Sequence, residues 1–176
     1  MYPFLRLAAI VASERRKPAI GILDTHHVSL RCMPWDLDGY LEMNNGRILT
    51  LYDLGRAGLA LRTGFGDVLR RETWGLVVAG SSVRYRARIT ALQRFEMRSR
   101  MLGWDARFFY LEQAMWRGET CCNHLLIRAG VTRKGRLVPT ADEARAMNVQ
   151  DPSPDLPSWA QRWIEADAHR PWPPAI

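Results

Sequence analysis

The chain has 176 residues, 47% of them hydrophobic, and carries 25 Lys and Arg against 18 Asp and Glu. That length allows one well-buried core and excludes two ordinary domains; the net charge of +7 favours an anionic partner, whether nucleic acid, a membrane surface or a phosphorylated small molecule. Cys32, Cys121 and Cys122 are odd in number and lack a CxxC spacing, so neither a disulfide framework nor a zinc site is signalled, and a reducing cytoplasm is the expected location.

The N-terminal stretch has an apolar run from Leu7 to Ala12 followed by Arg15, Arg16 and Lys17. It is too short to span a bilayer, and its order of charge and apolar run is wrong for a cleaved signal. A short amphipathic helix packed on the domain is expected, with weak membrane-surface contact as the other role open to it. After Pro18 and Gly21, "DTHHVSLRC" alternates as a strand, with Val28, Leu30 and Cys32 on one face, and Pro34 ends it.

Asn44 or Asn45 then caps a helix in which Ile48, Leu51, Tyr52, Leu54, Leu59 and Leu61 spread over much of the circumference, as in a helix enclosed by other structure. Gly64 stops it. Gly55, Ala57, Gly58 and Ala60 cost helix propensity but permit close approach to a sheet.

From Trp74 the period changes to two. "GLVVAGSSVRYRARI" sets Val83, Tyr85, Ala87 and Ile89 against Arg84, Arg86 and Arg88, and "RFEMRSRMLGW" sets Phe95, Met97, Ser99 and Met101 against Arg94, Glu96, Arg98 and Arg100. Turns at "GWDAR" and "RGET" lead into "FFYLEQAMW" and "CCNHLLIRAGVTR", so a meander of long antiparallel strands is predicted. Beyond Gly135 alternation fades, "QDPSPDLP" reads as a linker, and "SWAQRWIEADA" predicts a short helix clipped on the surface through Trp159, Trp163 and Ile164. The element order β-α-β-β-β-β implies an α+β fold in which a long antiparallel sheet wraps around a central helix. The expected organisation is an N-terminal extension over 1–23, the main domain over 24–135 and a tail over 136–176.

The segment "WDLDGYLEMNNGR" places two carboxylates, Asp36 and Asp38, and two asparagines in front of the helix, more than a cap needs. Together with "YRARITALQRFEMRSRMLGWDARFFYLEQ", it resembles the hotdog-fold acyl-CoA thioesterases of the 4-hydroxybenzoyl-CoA thioesterase branch, whose pattern is D-x-D-x-x-x-H-[MV]-N-N. The resemblance covers roughly residues 25 to 133. It implies the hotdog fold, hydrolysis of an acyl-CoA thioester, no cofactor or metal, and a homodimer or higher homo-oligomer with the substrate between subunits. It also implies that Asp38 carries the hydrolysis and that a main-chain amide near Asn45 or Gly46 holds the thioester carbonyl. Glu42 stands where the family has its histidine.

The chemistry is consistent on its own terms, since thioester hydrolysis needs a base or nucleophile and a donor for the developing oxyanion. Asp38 can supply the first, and free amides at a helix start, reinforced by its dipole, the second. Glycine at 46 lets a substrate approach closely. Asp36 reads as a loop residue making side-chain turns, Asn44 as the cap, and Asn45 as a loop-to-helix hydrogen bonder. Glu42 is either a second acid/base group or a solvated charge. Asp53 and Arg56 read as a charge pair three residues apart, although some hotdog thioesterases use a helix carboxylate.

Other chemistries fit less well. His26, His27 and His124 lack metal-ligand spacing, Ser81 and Ser82 lack a nucleophile elbow, and no His lies near the site as a dehydratase would want. Aromatics and arginines alternate to opposite faces in "VRYRARI", which argues against a nucleic-acid platform. The expectation is an acyl-CoA thioesterase; the alternative is a non-catalytic hotdog protein that binds acyl-CoA or acyl carrier protein.

Overall fold

The structure, a computed structural model, describes residues 2–174. Its elements run α1 (Phe4–Glu14), β1 (His26–Arg31), α2 (Asn45–Arg62), α3 (Phe65–Glu72), β2 (Gly75–Tyr85), β3 (Arg94–Trp104), β4 (Phe109–Arg117), β5 (Thr120–Arg133), β6 (Arg136–Leu137), α4 (Thr140–Ala146) and α5 (Ser158–Ala168). Among the described residues no helix is long and apolar enough to cross a membrane.

The main sheet has the order β1-β3-β4-β5-β2, with β6 beside the end of β5. The expected meander holds for β3, β4 and β5 but not for β2, which crosses to the far edge and pairs antiparallel with β5 from Gly75–Thr132 to Tyr85–Asn123. The predicted alternation through Ile89 also ends early. The Arg86 and Ala87 amides both donate to the Cys122 carbonyl, and the chain turns off the sheet.

Helix α2 lies in the concave face of this sheet, the hotdog arrangement. Ile48, Leu51, Tyr52, Leu54 and Leu59 are buried on it and meet Phe95, Met97, Phe109, Leu111, Met115, Leu125 and Ile127 of the strands in one core. Burial around most of a helix needs walls on several sides, which a curled sheet supplies. Tyr52 reaches across, its hydroxyl donating to Asn123 Oδ1, while Gln113 Nε2 donates to the Tyr52 carbonyl at 3.0 Å and to Ser99 Oγ at 2.8 Å. Closest approach falls at Gly55, where a methyl group would strike Met97 and come within 2.9 Å of both Gln113 and Ser99. Gly55→Ala should therefore destabilise the fold by about 1–2 kcal/mol, because overpacking outweighs the gain in helix propensity. The midpoint of denaturant unfolding reads this directly.

Helix α1 packs on the domain, as expected. Its last residue, buried Glu14, receives Lys17 at 2.6 Å and Arg62 at 3.0 Å and lies 3.1 Å from His26 Nε2. Burial alone would raise the Glu14 carboxyl, but these three partners outweigh it and hold the group below its ordinary range.

The convex face of the sheet carries the second core. There α5 covers Leu102, Tyr110 and Leu126 with Ala160, Trp163 and Ile164, and Arg128 ion-pairs with Asp167 at 2.6 Å. This is the predicted surface clip through Trp163 and Ile164, whereas Trp159 stays 41% exposed and meets His124 edge to face. Two helices had no counterpart in the sequence reading: α3, which starts one residue after Gly64, and α4, whose buried residues are Thr140 and Glu143.

Candidate active site at the entrance of α2

The segment between β1 and α2 folds back on itself. A single helical turn at Pro34–Asp36 is followed by a small protruding hairpin in which Leu37 bridges Met43, the Asp38 amide donates to the Glu42 carbonyl at 2.9 Å, and the Leu41 amide donates to the Asp38 carbonyl at 3.1 Å. Asp38, Gly39, Tyr40 and Leu41 form its tip. Leu41 takes a left-handed conformation, φ 60°, and Tyr40 is 84% exposed. One Asp38 carboxylate oxygen accepts the Tyr40 amide at 2.8 Å, a turn of the kind Asp readily makes.

At the base of the hairpin Asn44 caps α2, its Oδ1 accepting the Gly46 amide at 2.9 Å and the Arg47 amide at 3.2 Å. The Gly46 donor is thus already engaged. Asn45, the first helical residue, keeps its amide outside the cap, where the helix dipole favours negative charge.

Asp36 is not the simple loop residue of the sequence reading. It is 1% exposed, accepts the Met33 amide at 2.9 Å and ion-pairs with Arg6 of α1 at 2.8 Å and Arg47 of α2 at 3.2 Å. It clamps three segments together beneath the hairpin. A buried carboxylate without such partners would be very costly.

Open pockets lie on either side of this entrance. One, about 220 Å³, has Glu42, Asn45, Ile48, Tyr85, Arg86 and Arg88 among its walls. The other, about 400 Å³, is lined by Trp35, Asp36, Asn44, Gly46 and Arg47 with Tyr2. Glu42 and Asn45 are thus brought together, as are Asn44 and Gly46, whereas Asp38 stands at the hairpin tip and forms part of neither wall. Glu42 is ion-paired to Arg88 at 2.8 Å. On the helix, Asp53 pairs with Arg56, whose other amino group donates to Gln113 Oε1 at 2.6 Å. Desolvation draws the Arg56 guanidinium down to about 10, so it remains charged.

None of the cysteines offers a thiolate. Burial pushes Cys32 up to about 11, with Asp36 adding to the shift, and burial also raises Cys121 and Cys122.

A sequence model of the thioesterase-like superfamily matches residues 32–164, from the end of β1 through most of α5. The chain belongs to that superfamily. Among curated proteins it is similar to the protein THEM6 of Xenopus laevis, 35% identical over 111 residues, covering 62% of this chain and 54% of the relative. It spans about half the length of the curated relatives it matches.

Among solved structures, this thioesterase-like chain is similar to YbaW of Escherichia coli, named as a probable thioesterase, with a TM-score of 0.65, 16% identity and coverage of 70% of this chain and 96% of the other. It is also similar to Slr0204 of Synechocystis, a 1,4-dihydroxy-2-naphthoyl-CoA thioesterase, with a TM-score of 0.60, 10% identity and coverage of 73% and 97%. At these identities the likeness is one of fold, and the fold is the hotdog.

Arg6 was not expected at the candidate site, and Arg88 was expected there only as a sheet arginine near the coenzyme's phosphates. Arg6 lies 30 residues before Asp36, and only the three-dimensional structure pairs them. Arg88 was read as one of three strand arginines, but after Tyr85 the chain leaves the sheet and carries it to Glu42.

Proposed function

We propose that this chain hydrolyses an acyl-CoA thioester to the free acid and CoA. The carrying observation is the Asn45 amide, left outside the cap at the start of an 18-residue helix, below a hairpin that presents Asp38. The Asp38 carboxylate takes a proton from water as the water attacks the carbonyl, or attacks that carbon itself to form a mixed anhydride, which water then hydrolyses to the free acid with return of the carboxylate. In either case the carbonyl oxygen becomes negative and accepts the Asn45 amide, and the CoA thiolate leaves and is protonated. Membership of the thioesterase-like superfamily and the CoA thioesterase named among its structural neighbours support this reading. Thiol release measured over a panel of aliphatic and aromatic acyl-CoAs tests it, and binding without release above background would end it.

Arg86 and Arg88 face the same pocket as Asn45, and a CoA thioester is polyanionic. Arg86→Ala should raise KM roughly threefold or more with kcat nearly unchanged, because a phosphate contact is equally present in ground and transition states. Added salt should erode the difference between wild type and variant. Initial-rate kinetics at low and high ionic strength provide the check.

We also propose that the working unit is at least a dimer. Asp38 stands at the hairpin tip outside both pockets, and strand β2, with no strand beyond it among the described residues, leaves Leu76, Val77 and Val78 exposed, an edge that a second copy can cover. Light scattering at micromolar concentration should give at least twice the chain mass. An active monomer would remove the shared slot from the mechanism.

The Glu42–Arg88 ion pair favours a second reading. With the family histidine replaced by a carboxylate held by arginine, the protein would bind acyl-CoA or acyl carrier protein without turning it over. The thiol-release panel separates the two.

A further inference from the structure

The end of α2 opposite the candidate site borders a separate pocket. Eighteen helical residues put roughly 27 Å between Asn45 and Arg62, and beyond Arg62 the walls are Phe65 of α3, Met101 and Trp104 of β3, Phe109 of β4, and Glu143 and Met147 of the α4 segment. Phe65 and Phe109 meet edge to face, centroids 5.7 Å apart. Thr140 fastens α4 over this space, its hydroxyl donating to the Asp105 carbonyl, and Arg71 donates to the Ala146 carbonyl at 3.0 Å.

Glu143 is the one acidic group in this apolar wall. It is 6% exposed, and its Oε1 has no hydrogen-bond partner among the described residues. Charged groups close to it on α3, α4 and the turn before β4 are engaged elsewhere. Asp142 pairs with Arg145 at 2.7 Å, Arg71 with Glu72 at 3.0 Å, and Asp105 accepts the Tyr110 hydroxyl at 2.6 Å together with the Arg107 and Phe108 amides. A buried acceptor without a donor is costly to leave unmet.

We propose that this pocket binds a small organic ammonium ion, with Glu143 as its counter-ion and Trp104, Phe65 and Phe109 as its aromatic walls. The Val131 main chain already donates to this carboxyl; what Oε1 lacks is a donor of its own, which a neutral apolar ligand cannot supply and an anion would oppose. An ammonium supplies it in the charge-assisted form, and aromatic faces attract cations. The free space of about 30 Å³ corresponds to roughly two water molecules, which suits a head group of methylammonium size. Binding requires the carboxylate form, so the proton that Glu143 carries in the empty pocket is released to solvent. Burial lifts that carboxyl to about 7, so affinity should rise about tenfold from pH 6 to pH 8.

The test is a titration of the full chain with methylammonium chloride, following the Trp104 indole signal by NMR, with sodium chloride at matched ionic strength as control. Saturable binding at pH 8 that weakens about tenfold at pH 6, and at least about tenfold in Glu143→Gln, is expected. Phe65→Leu, which keeps the Trp104 reporter, should weaken binding several-fold without removing it. A response that does not saturate, that sodium reproduces, or that Glu143→Gln leaves unchanged would overturn the proposal and leave water as the occupant. The readout involves no turnover, so it stands or falls apart from the thioesterase reading.

Discussion

Asp38→Asn should lower turnover by at least about a hundredfold and leave the fold intact. The hairpin depends on Asp38 through its main chain, which bonds Glu42 and Leu41, and through one side-chain oxygen, which accepts the Tyr40 amide. An asparagine keeps that acceptor. It loses the second, basic oxygen, the one available to water or to a carbonyl carbon. Steady-state thiol release, with circular dichroism to confirm folding, measures the effect, and near-normal turnover would remove Asp38 from the mechanism. Asp36→Asn supplies the contrast. Asp36 holds Arg6 and Arg47 in a buried cluster, so the neutral residue leaves two guanidinium groups short of a counter-charge, and its effect should appear first in the melting curve.

Glu143→Gln should stabilise the protein at pH 8 by about 3 kcal/mol and flatten its pH dependence on the acidic side. Burial raises the folded-state carboxyl from 4.5 to about 7. Between those values the folded chain keeps a proton that the unfolded chain releases, so stability falls as pH rises through the window and stays low above it. Glutamine cannot ionise and fills the same space. Glu14 works in the opposite sense, since its lowered carboxyl withdraws stability as pH falls. Denaturant melts of wild type and variant from pH 4 to 8 therefore isolate Glu143 in their difference. Parallel curves would show that the carboxyl finds a compensating partner.

Much of this was legible in the sequence because period and burial coincide. Phe95, Met97 and Ser99 alternate inward in β3, and Ile48, Leu51 and Leu54 surround a helix that the sheet encloses. Asn44 acts as the cap that its position suggested. What escaped notice depends on distance along the chain or on weak local signals. The pairing of β2 with β5 rather than with its sequence neighbour β3 leaves no trace in either strand's alternation. Helix α3 places Phe65, Val68 and Leu69 at helical spacing but is only eight residues long, too short for that period to stand out, and α4 buries a threonine and a glutamate and so shows no apolar period. At the site the polar cluster was visible, yet its division of labour was not. Asp36 became the buried clamp because Arg6 and Arg47 reach it, and the Gly46 amide was committed to the cap because Asn44 turns back over the helix start.

The two borders of the sheet are unequal. Helix α1 runs beside β1, with Arg6 reaching the Arg31 carbonyl at 3.4 Å, whereas no strand among the described residues lies beyond β2. A ribbon that can be extended at both borders is a monomer for filaments. One with a single free border terminates after one addition, because joining two such borders consumes both. In the proposed assembly, growth by edge pairing would therefore be self-limiting, and removing α1 should open a second growing end and turn a finite assembly into an open-ended one.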